Sequence, residues 1–137
     1  MEPQELISTL KNQHRILQSD LSSALEVNKR GENIILDLIK FKNDLLEHLK
    51  LENETFYTDY LDKKTKKGEE IENTKKFIKE MDDIAKVVMT FLEKYSSSES
   101  INKYITEFNK ELPDIISTLN MRIETEEDGV YDIYLSM

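Results

Sequence analysis

Apolar residues recur every three or four positions along nearly the whole chain, and the recurrence falls into four blocks. Ile7, Leu10, Leu17, Leu21 and Leu25 predict a first helix over roughly 3–29. Pro3 sits where an early-turn proline is tolerated, and Gly31 reads as a breaker just past the end. Ile34, Leu38, Phe41, Leu45, Leu49 and Phe56 predict a second helix over roughly 32–63, fading into the lysines of KKTKK and Gly68. Ile71, Phe77, Met81, Ile84, Val88 and Phe91 predict a third over roughly 69–95, followed by SSSES, whose serines suit a helix start. Ile101, Ile105, Phe108, Leu112, Ile115, Leu119 and Ile123 predict a fourth over roughly 99–133. Pro113 should kink or break it, and Gly129 should loosen its end. Short connections between long helices make neighbours antiparallel. The expected fold is therefore all-α, an up-down-up-down four-helix bundle forming one domain over 1–137.

Polar residues interrupt each apolar stripe. In the first helix the steps 7, 10, 14, 17, 21 include His14. In the second the steps 38, 41, 45, 48, 52 end on His48 and Glu52. In the fourth the steps 112, 115, 119, 122, 126 end on Arg122 and Glu126. The third stripe, followed back through Met81 and Phe77, meets Thr74, with Glu70 one turn earlier. At a constant rise per residue each hairpin returns the chain to the level it left. His14, His48, Glu52, Thr74, Arg122 and Glu126 should then share one layer near the end that holds both termini. A lone inward histidine is usually a hydrogen-bonded core residue. Two imidazoles, two carboxylates and a guanidinium at one level are a polar layer, because unpaired charge is expensive inside a core.

Composition narrows the function. The net charge of −9 argues against nucleic acid as a partner, and KKTKK reads as a solvated helix end. No apolar stretch reaches the roughly 18 residues of a membrane span, and MEPQELISTLKNQHR has no signal-peptide pattern. The absence of cysteine removes thiolate ligands and nucleophiles and fits a reducing, cytoplasmic compartment.

The chain also repeats itself. HLKLENETFYTDYL, His48–Leu61, aligns without a gap on RIETEEDGVYDIYL, Arg122–Leu135, at an offset of 122 − 48 = 74 residues. Glu52 matches Glu126, Tyr57 matches Tyr131 and Tyr60 matches Tyr134, but His48 matches Arg122. The four tyrosines, Tyr57, Tyr60, Tyr131 and Tyr134, either cap the polar layer or are ordinary half-buried aromatics. His48-x-x-x-Glu52, repeated as Arg122-x-x-x-Glu126-Glu127, with His14 on the first helix, resembles the hemerythrin-like (HHE) cation-binding family over nearly the whole chain. The resemblance implies a four-helix bundle holding two non-haem irons on histidines and bridging carboxylates. It also implies a role in binding or sensing oxygen, nitric oxide or iron. Histidine and carboxylate four residues apart lie on one helix face, and both suit iron. Position by position, His14, His48, Glu52 and Glu126 match ligands, with Glu70 as an additional candidate. Thr74 and Arg122 stand where ligand histidines are expected.

Arginine stays protonated and has no lone pair to donate. The leading expectation is thus a hemerythrin-like bundle whose centre holds no metal. Arg122 stands between Glu52 and Glu126 in its place, and the chain works as a non-enzymatic structural or interaction module, with a protein as its partner. The alternative is a reduced site binding one or two iron ions.

Overall fold

The computed structural model describes residues 1–137, and all its regular structure is helical. α1 is Pro3–Lys29 and α2 is Ile35–Leu51. α2 runs directly into a π-helical turn, Glu52–Tyr57, and then into α3, Thr58–Lys66. α4 is Glu72–Lys94. A short α5, Ser98–Lys103, precedes α6, Ile105–Thr125. α6 passes into a second π-helical turn, Glu126–Val130, and ends as α7, Tyr131–Leu135. Together these make the four long helical rods of an antiparallel bundle.

The turns follow from local chemistry. Gly31 and Gly68 have φ of +72° and +71°, the left-handed region that costs other residues a Cβ clash. Each ends its helix in the same way. Gly31 N–H bonds Asn28 O and Glu32 N–H reaches back to Val27 O; Gly68 N–H bonds Thr65 O and Glu69 N–H reaches Lys64 O. Ser97 and Ser100 form a capping box at the start of α5.

The fourth rod differs from its sequence pattern. The helix runs through Pro113, and the interruption falls at Tyr104 (φ −116°, ψ 38°), between α5 and α6. α5 turns Ile101 into the core at the loop end.

The apolar interior is in two parts. The larger, at the loop end, packs Leu17, Leu45, Val88, Phe108, Leu119 and Ile123 among others. The smaller, at the end with the termini, packs Leu10, Phe56, Met81 and Tyr131 with Tyr57, Tyr60 and Tyr134. His14, His48, Glu52, Arg122 and Glu126 are buried and belong to neither. They lie between the two parts.

Candidate metal centre

Four rods bring side chains to this layer, and three of them supply its polar groups. α1 gives His14, α2 gives His48, and α6 gives Arg122. The two π turns open with Glu52 and Glu126. One ligand atom each from His14, His48, Glu52 and Glu126 lies within 4.8 Å of the others. The two imidazole rings are 4.7 Å apart, centre to centre.

The third long rod does not contribute as its stripe suggested. On α4, Val88 packs in the loop-end part of the core and Met81 in the part at the termini. The layer between the two parts is therefore level with the turn carrying buried Met81 and Ala85. Thr74 lies seven residues beyond Met81, about 10 Å further along. The expectation that it faces the histidines is wrong because a count at constant rise runs straight through the break at Tyr104. Glu70 is exposed as well, and its carboxylate accepts a hydrogen bond from the Glu72 N–H at the start of α4. It is not at the site.

Arg122 is 2% exposed. Its Nη2 lies 3.4 Å from Glu52 Oε2 and 3.5 Å from Glu126 Oε2, bridging the two carboxylates. Two tyrosines cross over from one repeat to the other. Tyr57 O–H donates to Glu126 Oε2 at 2.5 Å, and Tyr131 O–H donates to Glu52 Oε1 at 3.2 Å. The π turns explain the crossing. Each tyrosine is five residues after a glutamate, and a turn closed by i→i+5 bonds brings position five round to the glutamate's own side. Of the four tyrosines, these two cap the layer. Tyr60 and Tyr134 pack around Phe56 outside it.

Each histidine is held from behind. His14 Nδ1 is 2.6 Å from Glu127 Oε2, which also pairs with Arg15 at the surface. His48 Nδ1 is 2.7 Å from Gln13 Oε1. An oxygen acceptor at Nδ1 favours the tautomer protonated there and turns Nε2 inward. His48 Nε2 then meets Glu52 Oε2 at 2.7 Å, and His14 Nε2 meets Glu126 Oε1 at 3.5 Å. A nitrogen lone pair and a carboxylate oxygen at 2.7 Å need a proton or another cation between them. Gln13 and Glu127 were not singled out from the sequence as holding groups. The only signal was that each adjoins a candidate ligand.

The charges are unevenly held. Burial pushes the His14 imidazole down, but the hydrogen bond and charge of Glu126, with Glu52 and Glu127 behind it, raise its pKa overall. Burial, and then the charges of His14 and Arg122, lower His48 to about 3. Burial and the charge of Glu52 raise Glu126 to about 7, against the pull of Arg122 and His14. Arg122 Nε and Glu126 Oε1 have no hydrogen-bond partner, although both are buried.

The donor set decides what fits. Two irons do not. Arg122 is a cation where a ligand is needed, and α4 offers a thioether and a methyl group at this height. One ion does fit four inward donors, two imidazole nitrogens and two carboxylates. The family model of the hemerythrin HHE cation-binding domain matches residues 5–134. Neither a search of curated proteins nor a search of solved structures found a match. With the bundle and its buried His/Glu group in place, and the family model matched over nearly the whole chain, the chain belongs to the hemerythrin HHE cation-binding domain family.

Proposed function

We propose that this chain is a non-enzymatic HHE bundle whose centre is closed by Arg122 in place of metal ions, and that it serves as a structural or interaction module for a protein partner. The observation that carries the reading is the buried guanidinium bridging Glu52 and Glu126. A permanent cation there supplies the charge that two buried carboxylates require. Burial lowers the His14 pKa, but the hydrogen bond and charge of Glu126 raise it overall, which favours the charged imidazole beside the same carboxylates. Arg122 would also repel a dication, by roughly 8 kcal/mol at 4 Å and an effective dielectric of 20. No second ligand cluster replaces the missing helix-three donors. Metal analysis of chain purified without chelator, with a visible spectrum, tests the reading. Substoichiometric metal and no oxo-bridge absorption are expected. Two irons per chain would overturn it.

A second reading rests on a different observation. Both Nδ1 atoms are held by oxygen acceptors and both Nε2 atoms point inward. That is how metal-binding histidines are oriented. On this reading His14, His48, Glu52 and Glu126 hold one divalent ion, and the short His48–Glu52 contact marks its place. One bound ion per chain in the same analysis would select it.

A further inference from the structure

The outward face of α2 carries a pattern that the bundle does not use. Leu36, Ile39 and Leu46 are 77%, 46% and 46% exposed. With exposed Asn43 and Lys50 they occupy steps of three, four, three and four residues. That spacing is the alternating a/d seam of a coiled coil, Leu36, Asn43 and Lys50 at a and Ile39 and Leu46 at d. The seam lies on the far side of the helix from buried Phe41, Leu45 and His48, so the core does not account for it.

We propose that α2 is a self-association surface, pairing in parallel with α2 of a second copy of this chain about a two-fold axis along the helices. Two observations choose this occupant, and a third is compatible with it. The first is the position of the polar break. Asn43 falls at an a position between the Ile39 and Leu46 layers, where asparagine pairs with its own copy and sets a two-stranded register.

The second is charge. Lys42 and Glu47 flank the seam at g and e. Lys40 is already held by Asp20 and Asp44, but Lys42 and Glu47 have no ion partner within the chain. In a parallel pair, g of one helix approaches e of the next heptad on the other. Lys42 then meets Glu47 of the second copy, twice by symmetry. An antiparallel pair sets like flanks together and makes neither contact.

The third is net charge. The chain carries −9, so two copies repel overall. α2, like α1 and α4, adds no net charge to that repulsion. Lys40, Lys42 and Lys50 balance Asp37, Asp44 and Glu47, three against three. Pairing through α2 therefore adds no like-charge contact of its own, and the parallel register adds the Lys42–Glu47 attractions. The seam is short, little more than two heptads, so the dimer is a weak and concentration-dependent one.

Sedimentation velocity of the full chain, from low to high micromolar concentration, tests the proposal. The unaltered chain should pass from monomer to dimer. Leu46→Glu, at a position exposed in the single chain, should stay monomeric throughout while keeping its helical circular dichroism. Lys42→Glu and Glu47→Lys should each weaken dimerisation about tenfold, because each turns two attractions into two repulsions. The double variant Lys42→Glu/Glu47→Lys should restore it. A chain that is monomeric at every concentration, or a dimer that survives Leu46→Glu, would overturn the surface. Failure of the double reversal to restore association would overturn the parallel register.

Discussion

The two repeated segments, His48–Leu61 and Arg122–Leu135, share a backbone and differ in chemistry. In both, an α-helix gives way to a π turn that opens on a glutamate, Glu52 in one and Glu126 in the other, and then resumes as α-helix. In both, the tyrosine five residues on bonds the other segment's glutamate. Yet one segment begins with an imidazole turned inward by Gln13, and the other with a guanidinium. The irregular turn is therefore common to both segments although the donors are not. In this chain the π turns cross-link Glu52 and Glu126 to Tyr131 and Tyr57. Metal binding is not needed to account for the backbone. The unlike first residues decide what charge the glutamates see.

The largest expected effect comes from removing that unlike residue. Arg122→Ala leaves two buried carboxylates without their bridging cation and should destabilise the chain by about 3–5 kcal/mol. Arg122→Lys should recover part of the loss, keeping the charge but not the planar fork that spans both glutamates. Denaturant melts of the three proteins measure this. An alanine variant within about 1 kcal/mol of the unaltered chain would show that Arg122 does not hold the layer together.

Making the two segments alike is the next test. Arg122→His removes a repelling cation and adds a nitrogen donor beside Glu126. Affinity for one divalent ion should rise by at least about a hundredfold. Titration with Co²⁺, read by calorimetry and its visible bands, reports the change. Equal affinity in both proteins would mean that Arg122 is no barrier to metal, and would favour the single-ion reading.

These experiments concern residues that the sequence exposed, and the reason they were exposed is periodicity. His14, His48, Glu52, Arg122 and Glu126 stand out because each is polar at an apolar step of a long, regular helix. The bundle was legible for the same reason. What failed was counting across irregular backbone. The break at Tyr104 has no proline or glycine to announce it, so a constant-rise count runs through it and puts Thr74 about 10 Å too near. The π turns were hidden too, because Tyr57 and Tyr131 at position five lie off the glutamate's face in an ordinary α-helix. Gln13 and Glu127 were missed because a group that orients a ligand from behind need follow no stripe at all.

The crossed tyrosines give a smaller effect and an asymmetry to look for. Tyr57→Phe removes a 2.5 Å bond to Glu126 and should cost about 2 kcal/mol, as expected for a bond to a charged group. Tyr131→Phe removes longer contacts, 3.2 Å to Glu52 and 3.3 Å to His14, and should cost about 1 kcal/mol. Paired thermal melts would show the difference. Equal losses, or a larger one for Tyr131, would mean that the two cross-links are not graded by geometry.

The smallest effect separates backbone from chemistry within the π turns themselves. Thr55 in the first segment aligns with Gly129 in the second. If the second turn needed glycine's freedom, the likeness of the two backbones would be forced in one and native to the other. The structure says it does not. Gly129 has an ordinary negative φ, unlike Gly31 and Gly68, and a Cβ added there meets nothing within 4 Å. Gly129→Ala should then stabilise the chain by about 0.5–1 kcal/mol. The gain comes mainly from the unfolded state, where glycine has the most freedom to lose. The layer should be untouched, since the nearest of its residues, Glu126 and Tyr131, keep their cross-links. Denaturant melts of Gly129→Ala and of the unaltered chain are enough to read it. A loss in place of the gain would show that the turn after Glu126 uses a backbone state that Thr55 never visits, and the two segments would be alike in outline only.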